Sequence, residues 1–98
     1  MKPIKSKKLR DSARGQPCTF DLPGICNHDV ATTVLAHLQF DGGVMGSKEC
    51  DLSACYACSD CHTALDQYKI DADARHYYMG RALARTHKLM ARNGAIKI

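Results

Sequence analysis

The sequence has few of the large side chains from which small proteins build a core. It contains no tryptophan, two phenylalanines and four tyrosines in 98 residues. A domain of this size buries only about 60–70% of the surface that its unfolded chain exposes. We therefore expect one small domain whose core is supplemented by disulfides or by a structural metal.

Long apolar runs are also missing. The purely apolar stretches are only a few residues long, which excludes a membrane-spanning helix. The basic N-terminal segment is followed by no apolar stretch of the kind found in signal peptides, so we expect a protein of the cytoplasm. In that reducing compartment, six cysteines predict metal binding rather than disulfides.

Charge is unevenly distributed, with two basic ends around an acidic centre. Residues 1–14 carry six basic side chains and one acidic one, and residues 74–98 carry six basic side chains and no acidic one. The centre, residues 15–73, carries nine acidic side chains and two lysines. Basic ends attract polyanions such as DNA, although the solvated ends of an ordinary protein can have the same composition. We interpret residues 1–16 as a flexible basic arm and residues 17–98 as a single domain.

Turn residues and apolar patterning predict the elements of this domain. Pro23-Gly24 indicates a tight turn in a short hairpin or knuckle with a cysteine at each end. Residues 32–40 are β-branched and apolar, which is typical of a strand. Residues 51–57 predict a second short strand or extended lead-in, and a helix is expected from Cys58 to about residue 68.

The last predicted element is an amphipathic helix from about residue 72 to residue 93, ended by Gly94. One face is cationic and the opposite face has the apolar spacing of a helix packed on a core. The cationic face either contacts nucleic acid or is simply solvated. The cationic residues are Arg81, Arg85, Lys88 and Arg92, and the packed residues are Met79, Leu83, Thr86 and Met90.

Two pairs of cysteines predict a metal site. Cys58 and Cys61 are separated by two residues at the expected start of a helix, so both thiolates can point at one ion. The Pro-Gly turn would bring Cys18 and Cys26 together as the second pair. A tetrahedral zinc site with four cysteines would then connect the N-terminal knuckle to the C-terminal half. Alternative sets use Cys50, Cys55 or His28, and free buried thiols are the remaining alternative.

Two histidines stand in a distinctive order relative to these cysteines. His37 lies in the strand-like run VLAHLQF, Asp51-Leu52 opens the next segment, and His62 directly follows Cys61 in CSDCH. A strand histidine, a glycine-containing loop, Asp-Leu and CxxCH together resemble the HNH nuclease motif, the ββα-metal finger, in its zinc-containing form. The blocks ARGQPC, PGIC, TTVLAH and ACSDCH closely resemble the YbcO-like family, small prophage-encoded proteins for which nuclease activity is inferred.

These resemblances imply an α+β fold with a small ββα-metal core stapled by the zinc site, plus the basic arm and the C-terminal helix. They imply a metal-dependent endonuclease that hydrolyses DNA phosphodiester bonds in phage DNA metabolism or recombination. By resemblance, His37 is the general base and His62 holds a divalent cation such as Mg²⁺. Asp51 stands where the motif usually has asparagine, and it would orient His37 or bind metal. Asp66 follows His62 by one helical turn, so both can face one ion.

One position departs from the HNH pattern. Many HNH nucleases have a metal ligand just before the strand histidine, and here that residue is Ala36. The cation would then depend on His62, a carboxylate and water, as Mg²⁺ tolerates. We expect the zinc site to hold the two halves so that His37 and His62 face each other across a shallow groove.

Two other functions use some of the same features. A non-catalytic zinc module that binds nucleic acid or a protein partner needs the four thiolates and the basic ends but not His37. A thiol redox function of the CxxC sequence is disfavoured, because the thioredoxin-like βαβ pattern is absent.

Overall fold

The chain is an α+β protein in which helices pack around a two-stranded sheet. The computed structural model describes residues 4–38, 50–67 and 70–97, and no helix in those ranges is long and apolar enough to cross a membrane. The two strands are antiparallel, with His37 opposite Ala54. The elements are helix α1 (Lys7–Asp11), strand β1 (Val34–His37), strand β2 (Ala54–Ala57), helix α2 (Ser59–Asp66) and helix α3 (Ala72–Arg92).

The sheet separates two groups of buried side chains. Ala36 and Leu38 belong to the larger group, which also contains the buried side of α2. Leu35 packs against the smaller group, in which Tyr56 meets residues of α1 and α3. Because successive side chains of a strand point to opposite faces, His37 lies on the face of Leu35, and α2 packs on the other face.

Both predicted strands are present, and each begins later than expected. Residues 39 and 40 of the first predicted strand lie outside the described residues. Residues 30–32 form a 3₁₀ turn instead of the start of a strand, since the Asp29 carboxylate accepts the Ala31 N–H at 3.0 Å. The predicted loop falls on residues 41–50, of which 41–49 lie outside the described residues.

Helix α2 begins where the sequence predicts. Cys58 is its N-cap, and the Cys58 sulfur accepts the N–H of Cys61 at 3.4 Å. The described helix ends at Asp66, and the predicted end at residue 68 lies outside the described residues.

Helix α3, Ala72–Arg92, has the predicted bounds to within one residue and buries most of the predicted packed face. The Asp71 carboxylate caps its start by accepting the Ala74 N–H at 3.3 Å, and Gly94 follows its end with a left-handed φ of 83°. Ala82 is fully buried and Leu83 only half-buried, so the packed face is rotated slightly from the predicted one. The other buried residues of this face are Met79, Thr86 and Met90.

The N-terminal segment differs from its prediction as a flexible arm. Residues 7–11 form α1, and the Ser6 hydroxyl caps it by accepting the Leu9 N–H at 3.3 Å. Leu9 and Ala13 lie four residues apart and are 5% and 1% exposed. Their packing on the smaller core group outweighs the charge of the neighbouring lysines and arginines, so the prediction of a flexible arm is wrong for this part of the segment.

Candidate metal centre and hydrolytic site

The four predicted cysteines come together at one point of the fold. Gly24 adopts a left-handed φ of 74°, and the Cys26 N–H donates to the Leu22 carbonyl at 3.0 Å, so the predicted Pro-Gly turn is confirmed. The sulfurs of Cys18, Cys26, Cys58 and Cys61 all lie within 4.8 Å of one another.

The spacing of these sulfurs suits a tetrahedral ion. A zinc–sulfur distance of about 2.3 Å places the sulfurs of a four-cysteine site about 3.8 Å apart. The Cys26 and Cys58 sulfurs are 3.9 Å apart. The cluster could therefore hold a metal ion that connects the turn segment, residues 18–26, to the start of α2.

The pKa values of the cluster thiols depend on burial and on nearby N–H groups. Burial raises the pKa of Cys26 to about 11, and burial also raises the pKa of Cys61. Burial opposes ionisation of Cys58 too, but the N–H groups of Cys61 and Asn27 outweigh it and lower the Cys58 pKa. Since crowded thiolates repel one another, a divalent cation among them would favour the ionised forms.

The alternative ligands lie outside this cluster. Cys55 is fully buried, and burial raises its pKa to about 12. A hydrogen bond from the Ile4 backbone lowers the pKa of Cys50, which places Cys50 beside the N-terminal segment. His28 is a neighbour of the cluster, with Nδ1 3.7 Å from the Cys26 sulfur. His28 and Asp21 form a second group of potential ligands that shares Cys26.

His37 and Asp51, far apart in sequence, are joined directly. His37 Nε2 lies 2.8 Å from Asp51 Oδ1, and the two side chains are 30% and 2% exposed. The Ser6 N–H donates to Asp51 Oδ2 at 2.6 Å. Burial on its own would raise the pKa of Asp51, but the hydrogen bonds from Ser6 and His37 outweigh it and hold the pKa below its ordinary value. A buried, ionised carboxylate therefore orients a half-exposed imidazole through Nε2, which leaves Nδ1 for another partner.

The N-terminal segment completes the surroundings of Asp51, and sequence reasoning missed this. The Asp51 N–H donates to the Ile4 carbonyl at 2.7 Å, and Arg10 Nε lies 3.6 Å from Asp51 Oδ2. The sequence signal that predicts a packed helix here is a capping serine, Ser6, followed by Leu9 and Ala13 at helical spacing.

His62 and Asp66 form a second, separate pair. His62 Nε2 lies 3.4 Å from Asp66 Oδ2 on α2, and both side chains are exposed enough to reach solvent. Within residues 4–38, 50–67 and 70–97, no hydrogen bond or ion pair joins this pair to His37 and Asp51. His37 also lies on the sheet face opposite to the one that α2 covers. The expectation that His37 and His62 face each other across one groove therefore finds no support in these contacts.

The cationic stripe of α3 is divided in the structure. Arg81 Nη2 donates to the carbonyls of Phe20 and Asp21 at 2.9 and 3.3 Å, and its guanidinium lies 4.8 Å from the centre of the Tyr78 ring. Arg81 thus anchors the turn segment and is not part of a free cationic surface. The three exposed cations of the stripe are Arg85, Lys88 and Arg92.

These features define a small α+β protein with a four-cysteine cluster between a turn and a helix, and with a histidine–aspartate pair beside the sheet. A family model described as "Putative nuclease YbcO" matches residues 7–95. The chain belongs to this YbcO family, which confirms that resemblance.

Similar proteins come from a bacterium and from a phage. "Putative nuclease YbcO" of Escherichia coli strain K12 is 38% identical over 92 residues, which cover 91% of this chain and 96% of the relative. "Putative nuclease ybcO" of Enterobacteria phage 82 matches with the same identity and coverage. A solved structure described as a putative bacteriophage protein from Escherichia coli K-12 MG1655 superposes with a TM-score of 0.73 at 35% identity, covering 89% of this chain and 100% of that one.

Proposed function

We propose that this protein is a metal-dependent endonuclease of the HNH type that hydrolyses DNA phosphodiester bonds in phage or prophage DNA metabolism. The observation that carries the proposal is the 2.8 Å hydrogen bond between His37 and the buried carboxylate of Asp51. A carboxylate that fixes an imidazole through one nitrogen is how enzymes prepare a histidine to take a proton at the other. Membership of the YbcO family supports a nuclease, because its relatives carry that name.

His37 is the general base of the proposed reaction. Its Nδ1 takes a proton from a water molecule as the water oxygen forms a bond to phosphorus. The bond from phosphorus to the 3′ oxygen breaks, and that oxygen takes a proton from solvent. Asp51 is a positioning residue: it holds the ring through Nε2 and stabilises the imidazolium that forms.

His62 and Asp66 are the proposed holders of the catalytic cation. Their Nε2 and Oδ2 atoms are 3.4 Å apart, close to the separation of about 2.9 Å between neighbouring ligands of an octahedral Mg²⁺. Ala36, which replaces the usual ligand, is fully buried and offers none. When bound, a divalent cation would stabilise charge on the phosphate and on the leaving oxygen. Because His37 and α2 lie on opposite faces of the sheet, the proposed reaction requires one DNA phosphate to reach both pairs of residues.

Zinc is the proposed occupant of the four-cysteine cluster. An all-sulfur, four-ligand set with this spacing is typical of structural zinc sites, which leave no open position for substrate. Its role would be to hold the turn segment against α2.

DNA is the proposed substrate, and the exposed part of the α3 stripe is its proposed contact. The chain has a net charge of +4, and Arg85 and Lys88 border a shallow cavity of about 260 Å³ beside Pro17, Cys18 and Thr19. Lysine and arginine side chains on a surface bind phosphates by releasing counterions. Arg81, which the sequence also predicts as a DNA contact, is left out of this proposal because its guanidinium donates to the carbonyls of Phe20 and Asp21.

Nicking of a supercoiled plasmid tests the proposal. The zinc-loaded protein should nick the plasmid with added Mg²⁺ or Mn²⁺ and should not nick it when EDTA is added just before the assay. His62→Ala and Asp66→Asn should raise the cation concentration needed for half-maximal nicking, whereas the exposed control His76→Ala should not. Failure of the zinc-loaded, folded protein to nick DNA with every divalent cation tried would refute the nuclease.

A non-catalytic zinc module that binds DNA is the second candidate. The placement of His37 and α2 on opposite faces of the sheet favours it, since a binding module needs no shared groove. It predicts salt-dependent DNA binding without nicking, weakened by Arg85→Gln and Lys88→Gln.

A further inference from the structure

We propose that Arg10 belongs to the same site and binds a phosphate group of the DNA next to His37, an inference that rests on the proposed nuclease function. The sequence predicts Arg10 to lie in the flexible arm, as one of several cations that attract DNA without a defined position. The structure instead places it beside the carboxylate that orients His37.

One carboxylate connects His37 and Arg10. Asp51 Oδ1 lies 2.8 Å from His37 Nε2, and Asp51 Oδ2 lies 3.6 Å from Arg10 Nε. Because both oxygens belong to the same buried group, the imidazole and the guanidinium are neighbours.

The guanidinium has one edge turned towards the protein and one left for a ligand. Arg10 Nε also donates to the Ser6 carbonyl at 3.4 Å. The Arg10 side chain is 55% exposed, and its two terminal nitrogens make no hydrogen bond with any residue in the described ranges. Two parallel N–H groups on a guanidinium match the oxygens of a phosphate.

The position of Arg10 is held by packing. Leu9, the preceding residue, and Ala13, on the next turn, are both buried against the smaller core group. The backbone that carries Arg10 is therefore already in place before DNA binds, and a preorganised cation stabilises transition-state charge best. In the proposed reaction His37 takes the proton of water and Arg10 binds the non-bridging phosphate oxygens.

A phosphate titration followed by NMR tests this without requiring cleavage. Inorganic phosphate is added to the zinc-loaded full-length protein at constant pH and ionic strength, and the Arg10 Nε–H and His37 ring signals are followed. Both should shift in the wild type and in Arg14→Gln, which removes the same charge from an exposed position. In Arg10→Gln the His37 response should need at least about tenfold more phosphate, with partial recovery in Arg10→Lys.

The outcomes separate this proposal from the nuclease itself. If phosphate shifts the His37 signals equally in Arg10→Gln and in the wild type, Arg10 only tethers Asp51 and the proposal fails, even if the protein nicks DNA. If phosphate binds at Arg10 and no cation supports nicking, the nuclease fails and the phosphate site stands. If phosphate binds at Arg10 and the protein also nicks DNA, Arg10→Gln should reduce the maximal nicking rate by about 100-fold. Amide spectra check folding, and Arg10→Lys supplies the measurement if Arg10→Gln does not fold.

Discussion

Removal of the proposed zinc from the four-cysteine cluster should unfold this protein. Cys18 and Cys26 lie on the turn segment and Cys58 and Cys61 at the start of α2, so one ion would connect parts of the chain that are more than thirty residues apart. Structural zinc binds with about 10 kcal/mol or more, and a small domain is stable by only about 5–15 kcal/mol. With no tryptophan and two phenylalanines in the chain, the remaining core offers little to replace that contribution.

Circular dichroism before and after treatment with a strong chelator measures the effect. Chelation should abolish most of the helical signal, to which the 21 residues of α3 contribute most, and added zinc should restore it. Cys58→Ser should lose tight zinc binding, whereas Cys50→Ala, which lies outside the cluster, should keep its zinc and its melting temperature. An unchanged melting curve in protein shown by metal analysis to be zinc-free would refute the reasoning.

Three substitutions test individual contacts. The lowered pKa of Asp51 gives stability that is fully present at pH values above 3.8, its ordinary pKa, and is lost as pH falls through the folded-state pKa. Asp51→Asn should therefore lower the free energy of unfolding by about 1–3 kcal/mol at pH 7 and by clearly less at pH 3. Equal losses in urea unfolding at both pH values would contradict this. Arg81→Ala should lower stability by about 1–3 kcal/mol and leave the salt dependence of DNA binding unchanged, whereas a shallower salt dependence would show that Arg81 contacts phosphate. Thr86→Val removes the hydroxyl that accepts the Tyr56 N–H at 3.0 Å and should cost about 1–3 kcal/mol, because it leaves a buried donor unpaired; an unchanged unfolding midpoint would contradict it.

Local signals predicted helices α2 and α3 and the cysteine cluster well. The Cys58–Cys61 spacing determines both a helix cap and two potential metal ligands within four residues, and the Pro-Gly turn brings Cys26 close to them. Gly94 marks the end of α3 because a left-handed residue there requires no side chain. Each of these features is determined by residues close together in sequence.

Contacts between distant segments could not be predicted in the same way. Periodicity placed Arg81 on a cationic stripe, but only the fold shows that its guanidinium reaches the Phe20 carbonyl. Charge likewise marked residues 1–16 as a solvated arm, and the burial of Leu9 against the sheet overrides that composition. The contact between Arg10 and Asp51 could not be predicted for the same reason, because it forms only when α1 packs against the rest of the fold.

Single-turnover cleavage of a labelled duplex by His37→Ala tests the central claim most directly. The variant, checked for zinc content and folding, should cut at least about 100-fold more slowly than the wild type, because a positioned base contributes about 10²–10⁴ to the rate. The exposed control His76→Ala should cut at the wild-type rate. Cleavage by His37→Ala as fast as by the wild type would contradict the assignment of the hydrolytic site.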